Sequence, residues 1–360
     1  MLGIAACSED AADGAGAGPG AASSSSGAHQ GGSGGGGAGG SGATGGAGSG
    51  ARGGDGGAPA QVPEVVAAFD AATGQLPEGL ALDAAAGRAL VGFATTGAIV
   101  AVDLDDGAVT PFGNLPQPPP DGFITGLALG ADGSVYAALV SPDPAIPGGI
   151  YKVPAAGGAG VLFASDALMT FPNGIVVRAD GGLLVSDSAA GAVFAADAQG
   201  TVDLWQQGGD LAGQNDFCGA PLNGFDIGAN GIVQVGDSVF VANNDKGSIV
   251  RIPVEGDGTA GVPVLFVAPD CANLGGADGL AADAAGDLYL AVNHQNRLVR
   301  IAGDGATTTL AEGPPLDFPA SPAILEAGGA ATLYVTSFAL AEALSGGSPE
   351  PALVSLSLAP

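Results

Sequence analysis

Ala277-Asp278-Gly279-Leu280-Ala281, the turn Ala285-Gly286-Asp287, the apolar run Leu288 to Val292 and a second run Leu298 to Ile301 form one unit of this chain. A polar residue and a glycine lead into an apolar strand. An Asp/Gly turn follows, then a second strand, a polar loop and a third. The same order recurs upstream. It begins at Ala229-Asn230-Gly231-Ile232-Val233, at Pro172-Asn173-Gly174-Ile175-Val176, at Thr125-Gly126-Leu127-Ala128-Leu129 and at Pro77-Glu78-Gly79-Leu80-Ala81. A degenerate copy begins at Pro322-Ala323-Ile324-Leu325 and runs through Thr332 to Thr336 and Leu353 to Leu358.

The residues that open these units are Glu78, Thr125, Asn173, Asn230, Asp278 and Pro322, separated by 47, 48, 57, 48 and 44 positions. Several short strands within a period of about 40–50 residues indicate the blades of a β-propeller. Six openings predict six four-stranded antiparallel blades in an all-β domain. A solenoid would need polar caps at both ends, and none is visible. The last repeat runs out after three strands, while Val65-Val66-Ala67-Ala68-Phe69 has no partner in its own repeat. That stretch is expected to supply the outer strand of the last blade, leaving few free sheet edges.

Working outward, the propeller spans 61–360. Residues 8–60 are almost wholly Gly, Ala and Ser. Such a segment carries too little apolar surface to offset the entropy of ordering it, so a disordered tether is expected. Residues 1–7 end in Ile4-Ala5-Ala6-Cys7, which has the form of a lipobox. A signal peptide needs roughly 7–15 apolar residues behind a basic segment, and only six residues precede Cys7. Either the start is truncated or the match is accidental. The long polar tether favours an extracytoplasmic bacterial lipoprotein, lipidated at Cys7 and held to a membrane only through that anchor. Cys218 and Cys271 then remain as a pair, for one disulfide or two buried thiols.

Charge narrows the partners. The chain has 36 Asp and Glu against 8 Lys and Arg, a formal net charge of −28. Nothing here can neutralise a phosphate backbone, so nucleic acid is excluded as a partner. An anionic membrane surface would repel the domain. A monomer acting on a small molecule, or an unknown ligand on the channel face, fits better.

In a four-stranded antiparallel blade the loop entering the inner strand and the loop between strands two and three share a face. The openings therefore ring the central channel. Glu78, Asn173, Asn230 and Asp278 bring carboxylate and carboxamide oxygens there, donors that suit Ca²⁺ or another hard divalent cation. The plainer reading is that each polar residue caps its own loop. Asp187, Ser188, Asn243 to Asp245, Asn293, His294 and Asn296 are expected on the same face. His294 there would contact substrate or move protons, although an exposed loop histidine more often does neither. Trp205 is expected to pack on an outer strand.

The order Glu78-Gly79, Asn173-Gly174, Asn230-Gly231, Asp278-Gly279 resembles the gluconolactonase/regucalcin (senescence marker protein) family of six-bladed propellers. The resemblance implies a metal held by Glu78, Asn230 and Asp278, substrate contact by Asn173, and Asp278 as general base in the hydrolysis of a lactone or related ester. It departs from the family at Phe171, where an Arg is frequent, at Leu80, where a Pro is expected, and at Asn173-Gly174-Ile175, where Asn-Asp-Gly is expected. A non-catalytic surface module retaining a structural Ca²⁺ is the alternative.

Overall fold

The computed structural model describes residues 61–120, 122–219 and 225–358; Cys7 and the expected tether lie outside them. Within the described residues the chain forms six antiparallel sheets arranged as a ring. The inner strands are Pro77–Asp83, Phe123–Leu129, Pro172–Val177, Ala229–Val235, Ala277–Ala282 and Pro319–Ala327. Each lies against the next, and the sixth against the first.

Blades two to five are consecutive four-stranded meanders. In blade six the order runs from the outer strand Glu64–Ala68 to Ala352–Leu358, Ala330–Ser337 and Pro319–Ala327. The orphan N-terminal stretch therefore closes the last blade, pairing Glu64 with Ser355 and Ala68 with Ala352. Blade one has its four antiparallel strands and one addition. Its outer strand Val109–Asn114 gains a two-residue parallel neighbour, Gly158–Ala159, from the third hairpin of blade two. This neighbour covers an edge that would otherwise offer unpaired backbone groups.

The apolar residues of each strand meet those of the adjoining blade. One cluster joins blades one and two around Leu90, Ile124 and Leu139. Another joins two and three around Ile150, Leu183 and Phe194. Corresponding clusters occupy the remaining junctions, including that of blades six and one, where Leu353 meets Val91 and Phe93. The core is thus a ring of blade-to-blade layers. No helix among the described residues is long and apolar enough to cross a membrane.

The glycine after each opening residue has a packing reason. A Cβ on Gly79, Gly126, Gly231 or Gly279 would overlap a backbone carbonyl of the next inner strand: Thr125, Asn173, Asp278 or Ala320 respectively. On Gly174 it would come within 3.1 Å of the Asn230 carbonyl. The inner strands converge so tightly on the axis that only glycine fits.

The pairing register slips at the same place in every blade. Two inner-strand residues stand unpaired between Pro172 and Ile175, between Ala229 and Ile232, and between Ala277 and Leu280. Blades two and six show the same slip, and in blade one Glu78 alone stands unpaired, between Pro77 and Gly79. Such a bulge re-aims side chains. In blade six the paired residues are Pro319 and Pro322, so the unpaired dipeptide is Ala320-Ser321. The sequence reading placed the sixth opening at Pro322, two positions late. Without the polar–glycine pair, this blade gave no local signal for its bulge.

Candidate functional site

The bulges carry Glu78, Thr125, Asn173, Asn230 and Asp278 to the axis, and all five are buried. Glu78 and Asp278 face each other closely enough for the Asp278 charge to raise the Glu78 pKa, although burial contributes more. Burial likewise pushes Asp278 up to about 7, against the lowering effect of hydrogen bonds from the Asn293 and Asn230 side chains. Glu78, Asn230 and Asp278, from blades one, four and five, are therefore brought together. Asn173 lines an axial cavity of ≈ 70 Å³ with Asp278.

The loop after the second strand supplies another layer. Asn293 Nδ2 donates to Asp278 Oδ2 at 3.0 Å, and Asn173 Nδ2 donates to Ser188 Oγ at 3.2 Å. Ser188 in turn donates to the Ala229 carbonyl at 3.0 Å, tying blade three to blade four. Asn293 was visible in the sequence only as one polar rim residue among several. Its contact with Asp278 follows from lying one residue past Val292, the partner of Ala277 in the ladder.

Other expected rim residues serve the loops. Asp187 accepts from the backbone of Ala190 at 2.8 Å and Phe171 at 2.7 Å. Asn243 donates to the carbonyls of Asp210 at 2.9 Å and Ala212 at 3.0 Å. Asp245 accepts from Gln214 and Ile227, each at 2.8 Å. Asn296 accepts from the Phe318 backbone at 2.7 Å. Trp205 packs between blades three and four and donates to the Gly258 carbonyl at 3.0 Å, away from the axis.

His294 is exposed and lines a separate pocket of ≈ 320 Å³, with Asn215, Asn244, Gln295 and both cysteines. The neighbouring wall desolvates its ring and lowers its pKa. Cys218 and Cys271 form a disulfide with a Cα separation of 5.1 Å, bridging the loops that enter blades four and five.

Two observations bear on a cation. Glu78 Oε2 and Asn230 Oδ1 are buried without a hydrogen-bond partner, a condition that costs about 1–3 kcal/mol per group unless something fills it. No Lys or Arg pairs with Glu78 or Asp278 among the described residues. Two facing carboxylates without a counter-charge cannot both ionise cheaply. The donors present, two carboxylates and a carboxamide oxygen, fit a hard divalent cation. Among the described residues no cluster of three or more His, Cys, Asp and Glu is suited to a metal, because the rest of this donor set is carboxamide.

The fold and mouth define a class: a six-bladed β-propeller with an acid- and carboxamide-lined axial mouth. Within that class, residues 227–339, covering blades four and five and the two inner strands of six, match the family described as "SMP-30/Gluconolactonase/LRE-like region". The resemblance read from the openings is thus borne out over that stretch, which contains Asn230 and Asp278. A calcium-binding regucalcin from Agrobacterium tumefaciens has a similar structure at 18% identity and a TM-score of 0.58, covering 82% of this chain and 93% of that one. A gluconolactonase from Xanthomonas campestris matches at 17% identity and 0.55, covering 84% and 96%. The PQQ-bound aldose sugar dehydrogenase of Streptomyces coelicolor matches equally, at 17% and 0.55, covering 83% and 98%. At these identities the likeness concerns the fold, which hosts more than one chemistry. No curated protein matches the chain.

Proposed function

We propose that the protein is a divalent-cation-dependent hydrolase of lactones or related esters, exported and held at a membrane through Cys7. The observation that carries the catalytic part is the buried Glu78/Asp278 pair, with Glu78 Oε2 and Asn230 Oδ1 unpartnered beside it. The match of residues 227–339 to the gluconolactonase family adds support. The disulfide supports export, since such bonds persist in oxidising compartments.

Glu78, Asn230 and Asp278 would hold the cation, Ca²⁺ being the best fit to all-oxygen donors. When bound, it supplies a positive charge that stabilises the developing negative charge on an acyl oxygen. Asp278 takes the proton from the attacking water, whose oxygen bonds to the acyl carbon. The ring carbon–oxygen bond breaks, and the leaving oxygen receives a proton to give the hydroxy acid. Asn293 fixes the Asp278 carboxylate through its 3.0 Å bond, and Asn173 lines the axial cavity beside Asp278.

Metal analysis of the purified protein, then a lactone panel with and without EDTA, tests the reading. Asp278→Asn should abolish EDTA-sensitive hydrolysis in a folded propeller, and Glu78→Gln should weaken cation affinity. A bound cation without turnover of any lactone would favour the non-catalytic module, a reading supported by Phe171 where the family frequently has Arg.

A further inference from the structure

A strip of aromatic side chains stands in the segments that enter the inner strands of blades two, three and four. Phe123 and Phe171 each stand two residues ahead of the opening residue of their blade, Thr125 and Asn173. Their ring centroids are 5.2 Å apart, and Phe225, from the loop entering blade four, lies 5.8 Å from Phe171. All three are only half-buried.

The strip continues in the other direction. Phe123 packs against an apolar cluster containing Phe318, Phe338, Leu76 and Ala320, the last being the sixth opening residue. Phe338 lies 6.2 Å from Phe318, and Phe318 lies 5.6 Å from the His294 ring. Phe318 has φ 53, a left-handed conformation that bulky residues adopt only under constraint. The Asn296 side chain and the Phe338 backbone bond to its main chain and hold it there.

The mouth offers no cationic side chain to an anion, although the carboxamide oxygens of Asn244 and Asn293 stand buried without a hydrogen-bond partner. No Lys or Arg lines the axial cavity or the pocket beside the disulfide. In that pocket Asp245 is spent on backbone N–H groups, and Gln295 donates to the Gly275 carbonyl at 2.9 Å.

Resting on the hydrolase reading above, we infer that the substrate is a neutral lactone or ester with an apolar acyl or aryl part. The acyl oxygen faces the Glu78/Asn230/Asp278 centre. The apolar part lies over the strip formed by Phe123, Phe171 and Phe225, where burial of hydrocarbon supplies the affinity.

The test separates binding from turnover. Binding of 3-pentylcyclohexanone and cyclohexanone, neither of which can be hydrolysed, is measured by calorimetry on the full chain with Ca²⁺. Turnover is compared for δ-decanolactone, δ-valerolactone and D-glucono-1,5-lactone. The tailed ketone should bind at least about tenfold tighter than cyclohexanone. δ-Decanolactone should have the largest kcat/KM. Phe171→Ser should remove about tenfold of the tailed ligand's advantage and leave cyclohexanone unchanged; if that variant does not fold, Phe225→Ser carries the measurement. Equal binding of the two ketones, or preference for D-glucono-1,5-lactone, overturns the inference and leaves the hydrolase reading intact. Tight, Phe171-dependent binding of the tailed ketone with no turnover of any lactone sinks the hydrolase reading and supports the apolar ligand class.

Discussion

The hydroxyl of Thr336 donates to the backbone carbonyl of Glu78 at 2.9 Å, joining residues 258 apart in the chain. The same oxygen accepts from the Ser321 N–H at 2.9 Å, within the bulge of blade six. Ser186 has the equivalent position in blade three: it accepts from Gly174 N–H at 2.9 Å and donates to the Asn230 carbonyl. In blades one, two, four and five that position holds Gly92, Ala138, Ala242 and Ala291. The two hydroxyls thus stitch the ring at the carbonyls of two residues proposed to hold the cation.

Thr336→Val should therefore cost about 1–3 kcal/mol, because it leaves the Ser321 N–H and the Glu78 carbonyl without their partner. Thr336→Ser should recover most of the loss. Urea denaturation reads the stability, and Ca²⁺ titration should show weaker affinity as Glu78 loses its tie. Unchanged values for Thr336→Val would mean that blade packing alone closes the ring.

Gly231→Ala tests the convergence of the inner strands. Its Cβ would overlap the Asp278 carbonyl and crowd Leu280, which should cost on the order of 1–3 kcal/mol or more. Gly256→Ala, whose Cβ meets nothing within 4 Å, should be close to neutral. Thermal unfolding of the two variants gives the comparison directly.

The cation-free protein should lose stability as pH rises. Burial raises the folded-state pKa of Asp278 from 3.8 to about 7 and raises Glu78 well above its ordinary value. The folded state then binds protons more tightly than the unfolded chain. That contribution is full below the unfolded pKa near 3.8 and is lost as pH rises toward 7. The loss should be on the order of 2–4 kcal/mol. Melting curves in EDTA should fall across this window relative to Asp278→Asn, and Ca²⁺ should restore the wild type most at the alkaline end. An EDTA curve parallel to that of Asp278→Asn would count against the buried pair.

Reduction or replacement of the disulfide should destabilise the propeller. The bridge joins cysteines 53 residues apart, and loop-closure entropy puts its contribution at about 4 kcal/mol, with typical measured values of about 2–4. Cys218→Ser with Cys271→Ser should lower the melting temperature, and mass spectrometry of the non-reduced protein should find no free thiol at either position. Two free thiols would reject the bridge.

The sequence by itself determined the blade count and five of the six openings that reach the axis. Both are local: a polar residue and glycine before an apolar strand repeat at nearly constant spacing, and the glycine is compelled by the next strand's carbonyl. Closure was legible too, because Val65 to Phe69 formed a strand with no partner in its own repeat. Only the tertiary structure decided the rest. The sixth opening is Ala320-Ser321 because the bulge is defined by pairing with Ser337 and Val335, not by residue type. Asn293 reaches Asp278 because ladder register sets the place of the following loop. The aromatic strip draws on loops of several blades, so no local pattern could join Phe171 to Phe123 and Phe225. A motif repeated in sequence specifies each strand's course; which side chains meet across the axis depends on closing the ring.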